Sequence, residues 1–222
     1  MRLCSIQVGM PKTYGDPMKK SLQEREWTTG FYKSPVLEDV EVTRLGIVGD
    51  GQGDLTVHGG PDKAVCVYPM EHYKYWEDSL GLKMSAGAFG ENFTIADGLE
   101  SGVCIGDSYQ IDDVIFQVTQ PRQPCWKLSR RWKTKNLTAL VQDTGKTGWY
   151  FRVLKGGKIS PSNEICLLDR AHEGWTIDVC NEVMHHAKAD LERAFTLAQI
   201  PELSESWQLS LLKRVERKKL DS

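Results

Sequence analysis

Cys125 and Arg122 are the residues whose types and spacing could do chemistry. They stand in Gln120-Pro121-Arg122-Gln123-Pro124-Cys125-Trp126-Lys127-Leu128, directly after an apolar run from Val114 to Val118. Proline fixes φ and lacks an N–H, so Pro121 and Pro124 hold this stretch extended. A thiol three residues from a guanidinium suits a nucleophile or a soft metal ligand, because nearby positive charge favours the thiolate. Most free cysteines are instead small buried hydrophobes. The stretch alone leaves both readings open.

A second dense block is Val57-His58-Gly59-Gly60-Pro61-Asp62-Lys63, running on into the apolar stretch Ala64 to Pro69. Gly-Gly-Pro makes a tight turn where a ligand can approach the backbone. Backbone N–H groups beside a lysine can hold a phosphate. The block is no P-loop, since Gly-x-x-x-x-Gly-Lys-Ser/Thr is missing. His58 is a candidate acid–base group or metal ligand, although a lone histidine is more often structural, and no second histidine follows four residues on. Thr28-Thr29-Gly30 with Lys33 can bind an anion or simply turn the chain into the next strand. Glu91 and Asn92, on a glycine turn between Phe89 and Phe93, can orient a bound group or cap backbone groups. In Gly49 to Asp54 the aspartates lack the calcium-loop pattern, so calcium is not expected.

These stretches need a scaffold of short strands. Leu3 to Val8, Val40 to Ile47, Val65 to Pro69, Tyr109 to Ile111, Val114 to Val118, Tyr150 to Leu154 and Glu164 to Leu168 read as strands. Asp112-Asp113 reads as a hairpin turn. Glu71 to Leu82 reads as an amphipathic helix ended by Gly81, and Leu128 to Gln142 as one further helix with Leu137, Leu140 and Val141 on one face. Many short strands with glycine-rich turns and isolated helices predict a mainly β fold with α, a β-barrel with helical insertions. From Gly174 the character changes. Thr176, Asp190 and Ser204 can each N-cap a helix. The second helix would turn Leu191, Ala194, Phe195 and Ala198 inward, and the third Trp207, Leu211, Leu212 and Val215. The expected division is 1–172 for the barrel and 173–222 for a three-helix appendage.

Composition excludes several classes. The 222 residues are 40% hydrophobic and 26% charged with a net charge of −2, an ordinary globular balance with no basic excess pointing to nucleic acid. No run of 18 apolar residues occurs, so no membrane span is expected, and the first ten residues lack a secretory core. Six cysteines without Cys-x-x-Cys spacing argue against a disulfide scaffold and for reduced thiols in the cytoplasm.

Taken together, Trp27 to Val36, the run from Gly49 through Lys63 to Val65, Phe89-Gly90-Glu91-Asn92-Phe93, Gln120 to Leu128 and Thr144 to Tyr150 resemble the MOSC domain proteins, in particular the YiiM-like branch with its C-terminal three-helix domain. The resemblance implies a β-barrel-like fold that binds the molybdenum cofactor, a pterin dithiolene with a terminal phosphate. It makes Cys125 the molybdenum ligand, with molybdenum's preference for sulfur in agreement. Lys63, Arg122 and Lys33 would neutralise the phosphate. His58, Gly59, Gly60 and Asp62 would shape the pocket floor, while Glu91 and Asn92 would orient pterin or substrate. Lys63 stands where family members often carry arginine. The implied activity is reduction of N-hydroxylated bases and amines, such as 6-hydroxylaminopurine, with His58 or Glu91 as proton source. No flavin, haem or nicotinamide motif is visible, so a separate flavin-type reductase would supply electrons. The C-terminal helices would dock that reductase or a second copy in a homodimer. Other readings are a cofactor carrier or sulfur-transfer module with a persulfide on Cys125, a cofactor-free hydrolase or transferase using Cys125 and His58, and a plain interaction domain.

Overall fold

A computed structural model describes residues 1–21, 23–56 and 58–220; Val57 of the second dense block and the last two residues of the appendage lie outside them. The chain runs β1 (Arg2–Val8), β2 (Lys12–Tyr14), β3 (Trp27–Thr29), β4 (Ser34–Val36), β5 (Val40–Thr43), β6 (Gly46–Ile47), β7 (Val65–Pro69), α1 (Glu71–Leu80), β8 (Phe93–Ala96), β9 (Ser108–Ile111) and β10 (Val114–Pro121). It continues with α2 (Trp126–Trp132), α3 (Leu137–Thr144), β11 (Trp149–Lys155), β12 (Gly157–Ile159), β13 (Cys166–Asp169), α4 (Ile177–Asn181), α5 (Leu191–Ala198) and α6 (Glu205–Leu220).

Eight strands form one curled sheet in the order β13-β9-β10-β11-β7-β8-β1-β4, a half-barrel. Every pairing in it is antiparallel except β7 with β8, which α1 joins as a crossover. β12, β5 and β6 make a three-stranded flap, and β2 pairs with β3. The expected hairpin at Asp112-Asp113 is present, pairing Val114 with Ile111. Strands β7 and β8 are buried along their whole length, as befits the middle of a covered sheet.

One apolar cluster fills the half-barrel and runs without interruption into the C-terminal helices, through Ile177, Cys180, Val183, Leu197, Trp207 and Leu211. A second cluster, of Phe31, Tyr68, Tyr73, Trp76, Phe89, Leu128, Leu137 and Val141, lies between α1, α2 and α3. It anchors the helix that follows Cys125.

The predicted caps are in place. Gly81 ends α1 in the left-handed conformation. Thr176 accepts from the Val179 N–H, Asp190 from the Arg193 N–H, and Ser204 from the Trp207 N–H. Four local expectations are corrected. The helix expected over 128–142 is two helices, split at Lys133, which takes the left-handed conformation at φ 51°. Leu140 of α3 faces solvent while Leu137 and Val141 are buried. On α5, Phe195 is exposed, and Leu197 is buried beside Ala194 and Ala198 instead. The helix expected from Thr176 to Lys188 is α-helical only to Asn181 and then widens into a π turn, Glu182–His186. Arg214 of α6 supports that turn by donating to the carbonyls of Val183 and Met184.

Candidate functional site

Loops from four parts of the chain meet at one end of the half-barrel. Strand β10 delivers Arg122. Its N–H donates to the Gly148 carbonyl at 3.0 Å, and its Nη2 donates to the Phe89 carbonyl. Gly148 has φ 67°, and a Cβ there would sit 2.1 Å from the Val67 carbonyl oxygen, so only glycine lets β11 start against β7 at this point. Cys125 stays extended at φ −107° as the residue before α2. Its carbonyl accepts from the Leu128 N–H and from the Thr138 hydroxyl, so the start of α2 and α3 both fix its backbone. The Cys125 side chain is half-buried and lines the pocket.

The pocket brings together much of what the sequence nominated. Cys125, Arg122, Lys63, His58, Gly59, Lys33 and Asn92 all line it. Gly30 forms part of its floor. A Cβ there would lie 2.1 Å from the Gly51 carbonyl oxygen, so the two backbones can meet only at glycine. A neighbouring depression shares Cys125, His58, Lys63, Lys127 and Tyr150, so the Cys125 loop is approached from two sides.

Three nominated residues are placed elsewhere. Glu91 is fully buried and is not among the lining residues. One carboxylate oxygen accepts from the Gly87 N–H at 2.7 Å, the Thr94 hydroxyl at 3.0 Å and the Tyr73 hydroxyl; the other accepts from the Phe89 N–H at 2.9 Å. It ties down the turn whose Phe89 carbonyl holds Arg122, and it does not face a substrate. Asp62 also points away from the pocket, to Arg152 at 2.6 Å and to the start of α6. Gly60 is not a lining residue either; it precedes the 3-10 turn Pro61–Lys63 at φ 82°. Asn92 lines the pocket, but its amide is spent on structure. It accepts from the Cys66 N–H and donates to the Gln7 carbonyl and to Asp50. Lys33 is ion-paired with Asp50, both nearly buried, so much of its charge is already answered.

The remaining electrostatics are mainly positive, with Asp54 in the neighbouring depression as the opposing charge. No carboxylate is among the described lining residues, while Lys63, Arg122 and Lys127 are. His58 registers this: burial first, then the charges of Lys127, Arg122 and Lys63, push it down to about 4. Its imidazole is therefore held in the neutral form at pH 7, with one ring N–H and one acceptor nitrogen. Burial pushes the Cys66 thiol up to about 11 and lowers the Lys63 ammonium. Burial likewise raises the Tyr150 hydroxyl above its ordinary value. Arg122 Nη1 is buried without a hydrogen-bond partner among the described residues.

Among the lining residues that sequence reasoning passed over are Cys66, Tyr150 and Lys127. Cys66 and Tyr150 are register partners across β7 and β11. No local signal reveals that pairing, because it depends on which strands meet. Lys127 could have been found, since it follows Cys125 by two residues.

Residues 54–166 match the model of the MOSC domain, and residues 175–218 match the YiiM-like 3-alpha helix domain. The chain is 43% identical over 213 residues to the uncharacterized protein YflK of Bacillus subtilis, covering 96% of this chain and 94% of that one. The crystal structure of YiiM from Geobacillus stearothermophilus superposes with a TM-score of 0.81 at 36% identity, over 97% of this chain and all of that one. A protein named reductase from Gibberella moniliformis is 33% identical over 188 residues; these span 83% of this chain and only 33% of that protein.

Proposed function

The chain belongs to the MOSC domain family, with the YiiM-like three-helix domain at its C-terminus, and from that premise we propose that it binds the molybdenum cofactor and reduces N-hydroxylated bases or amines. The observation that carries this reading is the pocket itself: a half-exposed thiol, four cationic side chains, of which Lys33 is paired with Asp50, and no carboxylate among its described lining residues. The donor set suits the cofactor. No cluster of three or more His, Cys, Asp or Glu that could hold a metal exists among the described residues. A metal here would have to bring most of its ligands with it, as a pterin dithiolene does, and take one thiolate from Cys125. Arg122 Nη1, buried and lacking a partner, suits an anionic oxygen of the cofactor's phosphate, and Lys63 and Lys127 add charge.

When bound, the cofactor would supply the two electrons that convert R–NHOH and two protons to R–NH2 and water. The chain's own part is binding, orientation and protons. Neutral His58 can accept a hydrogen bond from the N–OH group. Tyr150 and Lys63, both lining the pocket, carry O–H and N–H groups that can hydrogen-bond to the departing oxygen. Electrons would come from a separate flavin-type reductase.

The test is expression in a host that makes the cofactor, followed by metal and pterin analysis and turnover of 6-hydroxylaminopurine with a flavin reductase. Wild type is expected to carry molybdenum and form the amine, and Cys125→Ala to lose both. Wild type without molybdenum overturns the cofactor reading. Molybdenum without amine product, across N-hydroxylated substrates and reductases, turns the assignment to a cofactor carrier.

A further inference from the structure

The first turn of α6 is bonded to two of the loops that build the pocket. Strand β10 changes register between Val118 and Gln120, and Thr119 bulges there. The bulge leaves the Thr119 carbonyl to accept from the Ser204 N–H at 3.0 Å. The Ser204 hydroxyl donates to Gln120 Oε1 at 2.6 Å, and Gln120 Nε2 donates to the Pro121 carbonyl at 3.0 Å. That carbonyl belongs to the peptide joining Pro121 to Arg122. The second loop is held at Asp62. Its Oδ2 accepts from the Glu205 N–H at 3.2 Å, its Oδ1 accepts from Arg152, and its carbonyl accepts from the Thr119 hydroxyl at 2.7 Å. Ser204 and Gln120 are buried, where unmade hydrogen bonds are costly. Further along α6, Trp207, Leu211 and Val215 are locked in the core.

We propose that the three-helix domain sets the geometry of the pocket, acting through Asp62 and Gln120 as positioning residues. Asp62 precedes Lys63, and Gln120 stands two residues before Arg122. Pinning both to one rigid helix start fixes the Lys63 turn against the Arg122–Cys125 segment. The domain is thus part of the site's machinery, whatever else docks on it. The inference rests on the placement of Cys125 and Lys63 in one pocket and requires no bound group, so it can fail or stand independently of the redox reading.

The test uses the full-length, cofactor-free chain, with hydrogen exchange and peptide-resolved alkylation of Cys125. Asp62→Asn keeps size but cannot accept from both Arg152 and the Glu205 N–H. Ser204→Ala removes the bond to Gln120, and Ser204→Thr restores a hydroxyl. Asp190→Ala removes a comparable cap, on α5, that touches neither loop. Asp62→Asn and Ser204→Ala are expected to speed exchange about tenfold in 58–63 and 119–126 and to change the alkylation rate of Cys125 in the same variants. Ser204→Thr is expected to return both toward wild type, and Asp190→Ala to leave both unchanged while lowering Tm. Unchanged exchange and alkylation in Asp62→Asn, or an equal response in Asp190→Ala, overturns the proposal. If Ser204→Ala does not fold, Asp62→Asn against Asp190→Ala decides alone.

Discussion

Glu91 separates a structural account of this site from a catalytic one. Its carboxylate accepts four hydrogen bonds, two of them from the backbone N–H groups of Gly87 and Phe89. Glu91→Ala leaves those two buried donors unanswered at about 1–3 kcal/mol each, for a total near 4 kcal/mol. In a domain of this size that lowers Tm by roughly 10 °C. Glu91→Gln keeps the shape. One oxygen can still accept from Gly87, Tyr73 and Thr94, but an amide N–H now meets the Phe89 N–H. One opposed pair costs about 1–3 kcal/mol. The assay is urea unfolding of both variants beside turnover. Stability should fall in the order wild type, Gln, Ala, and the surviving folded Gln variant should keep a pocket that works, with its loss of turnover tracking the loss of folded protein. Glu91→Gln with wild-type Tm and no turnover would refute the reasoning and put Glu91 back into the chemistry.

Two further outcomes follow from local geometry and charge. His58, depressed to about 4 by burial and its cationic neighbours, binds fewer protons folded than unfolded between about pH 4 and the ordinary histidine value near 6.5. Its contribution to stability is therefore complete above that ordinary value and is lost as pH falls toward 4. An NMR titration should place its midpoint near 4, and an ordinary histidine midpoint contradicts the cationic pocket. Lys133 sits left-handed at φ 51° at the end of α2, so Lys133→Gly should stabilise the chain by about 1 kcal/mol, read as a rise in Tm; a fall in Tm shows that the lysine side chain has a role there.

What the sequence disclosed, it disclosed where the cause is local. Gly81 ends α1 because glycine is at ease left-handed, and Thr176, Asp190 and Ser204 cap helices with their own oxygens. The grouping of Cys125, Arg122, His58 and Lys63 came from a resemblance across several loops, and the structure places all four in one pocket. Whatever depended on long-range geometry was hidden. Lys133 carries no sign that it breaks a helix. The tight turn at Pro61–Lys63 sends Lys63 toward the pocket and Asp62 toward α6, although they are neighbours. At Glu91 the residues left a ligand-facing and a backbone-capping role both open, because a buried carboxylate that binds backbone N–H groups and an exposed one that binds substrate have the same letter and the same glycine context.

The placement of the acids explains the charge of the pocket. Asp50, Asp62 and Glu91 all lie within or beside the loops that build it, and each turns its carboxylate to the back of those loops. Asp50 accepts from the Gly9 N–H, Asn92 and Lys33. Glu91 accepts from the Gly87 and Phe89 N–H groups, and Asp62 from Arg152 and the Glu205 N–H. These carboxylates satisfy N–H groups that loops cannot satisfy among themselves, so they shape the walls while staying out of the cavity. Arg122, Lys63 and Lys127 are left lining it with Cys125. A concave site walled mainly by positive charge, with Asp54 only at the neighbouring depression, concentrates its field on an anion. A loop residue that brought a carboxylate into the cavity would weaken anion binding even if the fold were unchanged. The brace and the binding surface are therefore one arrangement, in which negative groups hold the loops from behind so that positive groups can face the ligand.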